Sequence, residues 1–516
     1  MKRCAAALGV IVMMSASAAS AAEGELVERP IGSTDAPYGH LEYLPVGYAT
    51  SGKKHAVVVF LHGIGEIGDG TAVLEPLTRN GPGKMIEDGT TYFAENETMV
   101  FIPQSTEWWN SDNIHAFLGY IATNFRVDPR QVYLTGLSMG GGGTWAYLST
   151  HQGRVTSAVP ICGAQGPGDG APFVGLPVWA FHAWSDGTVP SSNSIGWANS
   201  IADATAMVDV PDVLDGYPHM NGDPLLPAAD DETAIFDGTH YNWSSGVDTS
   251  GTSILRLTLY PDGSHDSWTR TYDRPEVWDW FTGQLKPPAL DDDRFIVDNL
   301  DAGFTASEPA EGTWSRSEAT PGFYWWDEHL AQVGDGVDAT FATELPPAIY
   351  EVFVSWTAGE DRSTSITASI DGADEAPAPM TLDMTQGGGF TSLGVFTFAG
   401  GNGSVTLRGA DGATGLLVAD AVGFVHQADI PAADTSGDSG ADSSSDGGDG
   451  SSEDSITTDP GGSEGPVDPG TSESSGAPAE TGSDGGCGCT TTPRSHAAWL
   501  VLLLPFARRR RSIAAG

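Results

Sequence analysis

The stretch QVYLTGLSMGGGGTWAYL, residues 131–148, decides how this chain is read. An apolar run, Val132-Tyr-Leu-Thr135, enters a knot of glycines around Ser138, and the helix-like Thr144-Trp-Ala-Tyr-Leu148 follows. Strand, sharp turn and helix in that order are the setting in which Gly-x-Ser-x-Gly presents a nucleophilic serine. The glycines have a physical reason there. The serine occupies a strained backbone conformation, and a side chain on either flank would clash with the strand or the helix. The helix N-terminus behind it favours developing negative charge. The spelling alone decides nothing, since 67 glycines in 516 residues make about one chance match expected. Gly461-Gly-Ser-Glu-Gly465 is such a match, in a run of Ser, Asp, Gly and Pro that cannot pack. Ser463 has the spelling without the setting.

Working outward, residues 35–287 alternate buried apolar runs with helical stretches. Ala56 to Leu61, Thr98 to Ile102, Gln131 to Thr135, Val178 to Phe181 and Ile254 to Tyr260 read as strands. His115 to Phe125 and Trp145 to His151 read as helices between them. Apolar strands alternating with helices predict an α/β domain, a mostly parallel sheet with helices on both faces.

A serine hydroxyl needs a base, and the base needs an orienting acid. On such sheets the chain order is Ser, then Asp or Glu, then His. Asp186 follows the run Leu176 to His182, just past a strand's C-terminal end, where sites on parallel sheets form. His265 lies on the loop after the last strand, ahead of a helix starting near Pro275. Ser138, Asp186 and His265 are therefore the expected triad. His182, at a strand end, is assigned to packing; His219 and His240 fall in an irregular insertion; Asp262 and Asp266 stand too close to His265 in sequence to be its obvious orienter. The oxyanion needs two donors. The backbone N–H of Met139 is the first; Ile64, in the loop Leu61-His62-Gly63-Ile64-Gly65-Glu66, is the second, with Gly65 in reserve. His62 is read as fixing that loop. Trp108, Trp109 and Trp268 are candidates for lining a substrate cleft, with core packing the equal alternative. The chemistry asks for no metal and no cofactor.

LHGIGEIGDG (61–70), GPGKMIEDG (81–89), IPQ (102–104), VDPRQVYLTGLSMGGGGTW (127–145), FHAWSDGTVP (181–190) and GSHDSWTRTYD (263–273) occur in this order. Together they resemble the secreted α/β-hydrolase esterases allied to carbohydrate esterases and feruloyl-esterase-like enzymes, many labelled predicted peptidases or phospholipase/carboxylesterase-like. The resemblance covers nearly all of residues 35–287. It implies an α/β-hydrolase fold, the triad named above, and the Ile64 and Met139 amides as oxyanion donors. The segment 205–251, rich in Asp, Pro and Gly, departs from the pattern and is expected to border the cleft.

From 291 to 427 short alternating segments appear, among them Tyr350 to Trp356, Ser363 to Ile370, Gly394 to Phe398 and Ser404 to Arg408. They predict an antiparallel β-sandwich. FIVDNLDAGF (295–304), GTWSRS (312–317), ATFATELPPAIYEVFVSW (339–356), SLGVFTFAGGNGSVTLRG (392–409) and VADAVGF (418–424) resemble the golvesin/xanthan-lyase-type sandwich, often called carbohydrate-binding-like. Trp314, Tyr324, Trp325 and Trp326 are candidates for stacking on sugar rings, with the sandwich core the favoured place for at least half of them.

Residues 428–486 are Ser, Asp, Gly, Thr, Glu and Pro, which cannot bury enough apolar surface to offset ordering entropy; a disordered acidic linker is expected. Residues 487–512 hold Cys487 and Cys489, an apolar run from Ala497 to Ala507, and Arg508 to Arg511. That order resembles a myxosortase-type sorting tail, implying a sorting protease that cuts near the cysteines and membrane contact through this tail alone. Residues 1–22 read as a secretory signal: Lys2 and Arg3, an apolar stretch too short to span a bilayer, then small residues. An exported protein at the cell surface or outside it follows. The formal net charge of -45, with 23 Lys plus Arg, argues against nucleic acid as a partner. Cys162 is the lone cysteine of the globular part, read as a small buried apolar residue. The combined expectation is a serine esterase acting on carboxylic esters, polysaccharide-linked or aromatic. A peptidase with the same triad and a non-catalytic surface-binding protein are the alternatives.

Overall fold

Strands that are apolar on both sides need both faces covered, and this requirement organises the computed structural model, which describes residues 23–430 apart from 72–73, 152, 205–234, 237–240, 248–252 and 293. Among the described residues the first sheet has ten strands: β1 (Leu26–Arg29), β2 (His40–Tyr43), β3 (His55–Leu61), β4 (Met99–Pro103), β5 (Val127–Leu137), β6 (Ser157–Ile161), β7 (Val178–Ala183), β8 (Ile235–Phe236), β9 (Tyr241–Val247) and β10 (Ser253–Tyr260). Their order is β1-β2-β4-β3-β5-β6-β7-β10-β9-β8. The strands from β4 to β10 in that order are parallel. The two at each edge are antiparallel to their neighbours.

The sequence HAVVVFL of β3 is buried throughout. Val57, Val59 and Leu61 enter the core that also holds Ile114, Phe117, Leu148 and Ile195, from the helices Ser111–Asn124, Met139–Thr150 and Ser192–Ala204. Ala56, Val58 and Phe60 enter the opposite core, with Val277, Trp278 and Phe281 of the helix Pro275–Thr282. The side-chain period of two thus splits one continuous apolar run between two helical layers. The loops after β3, β5, β7 and β10 leave from the same edge of the parallel sheet, where open α/β sheets build their sites.

The sheet starts at Leu26, ahead of the expected edge at residue 35. The stretch 205–251, read as an irregular insertion, contributes β8 and β9, which extend the sheet beside β10. The signal in Tyr241-Asn-Trp-Ser-Ser-Gly-Val247 was too weak to read, because Gly and Ser carry little strand preference and pairing with β10 supplies it.

Residues 296–428 form three antiparallel sheets. One holds Ile296–Asp298, Ala421–Ala428, Ala348–Ser355 and Thr391–Phe398; a second holds Phe304–Ala306, Asp338–Leu345, Gly401–Gly409, Ile366–Asp371 and Met380–Leu382. The third, smaller sheet holds Trp314–Ser317, Glu328–Gln332 and Leu416–Ala419. Tyr350, Val352 and Val354 of the first sheet share a core with Phe341, Ile366, Ala368, Val405 and Leu407 of the second, the interior of a sandwich.

Trp325 and Trp326 do not lie on an open sandwich face. Both are buried in the core that lies under the helices Ser111–Asn124 and Met139–Thr150. The Arg154 guanidinium sits 4.7 Å from the Trp326 ring centroid, and its Nη1 donates to the Trp325 carbonyl at 2.6 Å. A Cβ at Gly119 would stand 3.0 Å from Trp326 Nε1, so the indole docks where that helix lacks a side chain. Tyr324 packs partly buried against the same core, and Trp314 is half-buried with its Nε1 donating to the Ser307 carbonyl at 2.8 Å. Sugar stacking by Trp325 and Trp326 is thereby corrected to a packing role. Among the described residues no helix is long and apolar enough to cross a membrane.

Candidate active site

Ser138 directly follows β5 and is the N-cap of the helix Met139–Thr150. Its backbone has φ 52 and ψ -113, a conformation that L-residues rarely adopt and that must be held by the surroundings. Three backbone bonds hold it: its N–H donates to the Ile161 carbonyl at 2.9 Å, and its carbonyl accepts from Gly142 and Ala164, each at 2.9 Å. The flanking glycines meet backbone that cannot yield. A Cβ at Gly140 would lie 1.9 Å from the Leu61 carbonyl oxygen, and one at Gly136 2.5 Å from the Gly140 oxygen.

The last strand's loop brings His265 to this hydroxyl. Ser138 Oγ–H donates to His265 Nε2 at 2.8 Å, and His265 Nδ1–H donates to Asp186 Oδ2 at 2.7 Å. The Asp186 side chain is fully buried. Its Oδ1 accepts from the amides of Thr188 at 2.8 Å and Val189 at 3.0 Å. His182 supplies a further donor, with Nε2 3.2 Å from Asp186 Oδ2 and 3.0 Å from the Val189 carbonyl, while the Ser194 hydroxyl donates to its Nδ1 at 2.8 Å. Burial pushes the Asp186 carboxyl up, but the bonds from His182, His265 and the two amides outweigh it and hold it well below the usual carboxylate range. An anionic acid, an imidazole in one tautomer and a serine hydroxyl stand in line, the arrangement that moves a proton from the serine to the ring.

The loop after β3 passes beside the serine: a Cβ at Gly63 would be 3.7 Å from Ser138 Cβ. Ile64 begins the short 3-10 turn Ile64–Glu66, and Met139 begins its helix. Amides at first helical positions have no intrahelical acceptor. His62 holds the loop. Its Nδ1–H donates to the Gly63 carbonyl at 2.7 Å, and its Nε2 accepts from Ser105 N–H at 2.9 Å. Burial pulls its pKa down to about 4, so it stays neutral and performs no proton chemistry at neutral pH. Trp109 is buried and braces the same loop, Nε1 donating to the His62 carbonyl at 3.0 Å. It packs under the loop, whereas Trp108 is 58% exposed and Trp268 meets the His265 ring edge-on at 5.3 Å.

Asp266 is engaged with the amide and hydroxyl of Thr269, and Asp262 with Arg270, so neither competes with Asp186. His219 and His240 lie outside the described residues, as do Cys487 and Cys489. Cys162 is fully buried, and burial pushes its thiol up to about 12. Cys162, Asp186 and His265 offer ligand atoms within 4.8 Å of one another, the one such group among the described residues. With the thiol protonated and the other two hydrogen-bonded in line with Ser138, the set suits proton transfer rather than metal binding. Sequence reasoning missed His182 as a partner of the acid. Four residues of spacing at a strand end carry no signal for a contact made by the turn that follows.

Residues 295–426 match the family described as the Golvesin C-terminal domain. A xanthan lyase of Bacillus sp. (strain GL1) is 34% identical over 152 residues, which is 28% of this chain and 16% of the lyase. Among solved structures, a thermostable esterase is similar with a TM-score of 0.36 at 21% identity, over 51% of this chain and 63% of that one. An acetyl xylan esterase from Aspergillus awamori is similar with a TM-score of 0.34 at 13% identity, over 50% of this chain and 100% of that one.

Proposed function

We propose that this chain is a serine ester hydrolase that works through an acyl-enzyme. The observation that carries the reading is the unbroken line Ser138 Oγ, His265 Nε2, His265 Nδ1, Asp186 Oδ2, with links of 2.8 and 2.7 Å. Ser138 attacks the ester carbonyl while His265 takes its proton, and Asp186 stabilises the imidazolium so formed. The amides of Met139 and Ile64 hold the oxyanion of the tetrahedral intermediate, aided by the N-terminus of the helix behind the serine. His265 then returns the proton to the leaving alcohol. Water enters, His265 takes its proton as the oxygen attacks the acyl carbon, and that proton passes to Ser138 Oγ as the acyl–serine bond breaks, releasing the carboxylic acid and restoring the hydroxyl.

Polysaccharide-linked esters are the proposed substrate class. The golvesin-type unit, present in a similar form in a xanthan lyase, supports it. Export through residues 1–22 and surface retention through residues 487–512, cut near Cys487 or Cys489, complete the reading; both segments rest on their sequence.

The test is a fluorophosphonate label on the purified protein, followed by turnover of nitrophenyl acetate, feruloyl esters and peptide anilides. Wild type should be labelled and should cleave esters, and Ser138→Ala should lose both, with kcat falling on the order of a millionfold. Cleavage of anilides alone would make the protein a peptidase; an unlabelled wild type would leave a surface-binding protein.

A further inference from the structure

We propose that Glu66 is a positioning residue, which with Asn80 and Trp268 ties the oxyanion loop to the loop that carries the base. The inference rests on the serine-hydrolase reading and names a part of the site that the triad and its oxyanion donors do not include.

Glu66 ends the 3-10 turn that begins with Ile64, and it is 5% exposed. A buried carboxylate is costly unless other groups solvate it. No lysine, arginine or histidine stands within ion-pair distance of it among the described residues; its side-chain partner is an amide, and the backbone N–H groups of Gly63 and Glu66 also bond it. Asn80 Nδ2 donates to Glu66 Oε1. The other oxygen lies against the backbone of the loop itself: a Cβ at Gly63 would be 3.2 Å from Glu66 Oε2 and 2.6 Å from Leu137 Cδ1. The carboxylate is thus wedged beside the residue that precedes the Ile64 amide and close to the strand end that delivers Ser138.

Asn80 passes the connection on. Its Oδ1 accepts from Trp268 Nε1–H at 2.9 Å, and the Trp268 ring meets the His265 imidazole edge-on at 5.3 Å and 86°. The line Glu66, Asn80, Trp268, His265 therefore runs from the oxyanion side of the site to the base side. The remaining ties of the same loop lead to the exit of β4: Gln104 Nε2 donates to the Glu66 carbonyl at 3.1 Å, and Gly68 N–H to the Ser105 carbonyl at 3.2 Å. Those ties fix the loop to the sheet. The line through Asn80 fixes it relative to the imidazole, and the distance between oxyanion donors and base is what an acyl-transfer transition state senses.

The experiment compares wild type, Glu66→Leu, Glu66→Gln, Trp268→Phe and the Glu66→Leu/Trp268→Phe pair in the full chain. Fluorophosphonate labelling of wild type, absent in Ser138→Ala, is read first; if wild type is not labelled, the hydrolase reading itself fails. With labelling present, Glu66→Leu is expected to lower kcat on nitrophenyl acetate 10- to 100-fold, with KM changed less than about threefold, since a displaced donor weakens the transition state more than the ground state. Glu66→Gln, which keeps an acceptor for Asn80, is expected to recover to within about fivefold of wild type. Trp268→Phe keeps a ring on His265 and removes the Nε1 donor, so its loss should be much smaller in the Glu66→Leu background than in wild type, as expected for two links of one chain. The proposal is overturned if Glu66→Leu keeps kcat within twofold, if its loss lies in KM, or if the two losses simply multiply.

Discussion

At the scale of single residues, the Asp186 carboxylate is held by two histidines, His265 and His182. Asp186 Oδ2 accepts from His265 and stands 3.2 Å from His182 Nε2, while Oδ1 takes two amides. This set of donors keeps a fully buried carboxylate charged. Because its folded pKa lies below the ordinary value, its contribution to stability is present above about pH 4 and is lost as pH falls further, through the folded value. His182→Phe removes one donor, so the carboxyl should rise toward its ordinary value and the acid loss of stability below about pH 4 should shrink. Deleting a hydrogen bond to a charged group should cost about 1.5–3 kcal/mol. Melting temperature against pH from 3 to 7, with the acid limb of kcat/KM, checks both. An acid limb unchanged from wild type would mean His182 is packing alone.

At the scale of elements, the serine is presented by a contact between three backbones. The helix Met139–Thr150 starts hard against the end of β3, and the missing Cβ of Gly140 is what lets it do so, with the Leu61 carbonyl 1.9 Å from where that atom would stand. Gly140→Ala cannot be absorbed by a rotamer change; the helix or the strand must move. A loss of about 3 kcal/mol is expected, at the upper end for overpacking, together with loss of activity. Gly65→Ala is the control, since nothing lies within 4 Å of its Cβ position and the residue is exposed. It should stay within about 0.5 kcal/mol of wild type. Thermal melts and the fluorophosphonate label measure the pair. Equal stabilities would show that the strand–helix contact is looser than this packing requires.

At the scale of the molecule, the α/β part and the sandwich share a core through Trp325 and Trp326, clamped by charge. Arg154 pairs with Glu318 at 2.7 Å, His115 with the same carboxylate at 2.9 Å, and Lys54 with Asp301 at 2.8 Å. Close behind lies a set of buried acids in the sandwich. Burial pushes Asp420 up to about 7 even though the Ser355 hydroxyl and the Tyr324 amide donate to it, and burial also raises Asp298. A folded pKa above the unfolded one gives stability that is complete below about pH 4 and is lost as pH rises through about 7. For Asp420 the full difference is on the order of 4 kcal/mol. The sandwich should therefore melt lower at pH 8 than at pH 5, and Asp420→Asn should flatten that dependence. A wild type whose melting is unchanged from pH 5 to pH 8 would refute it.

What was legible in the sequence was whatever local chemistry decides alone. The continuous apolar runs of β3, β4, β5, β7 and β10, the glycine-ringed Ser138 at a strand–helix junction, and the alternation in Ala348–Ser355 each carry their own period. The order Ser138, Asp186, His265 follows from where the strands end, since side chains just past the strand ends of a parallel sheet share one edge. What only the tertiary structure decided are contacts between groups far apart in the chain or aimed by a turn. His182 reaching Asp186, Asn80 joining Glu66 to Trp268, Trp109 sinking under the loop, β9 finding β10, and Trp326 docking at Gly119 leave no periodic trace. The physical reason is range: propensity and burial pattern act over a few residues, whereas the direction of a buried donor is set by packing of the whole fold.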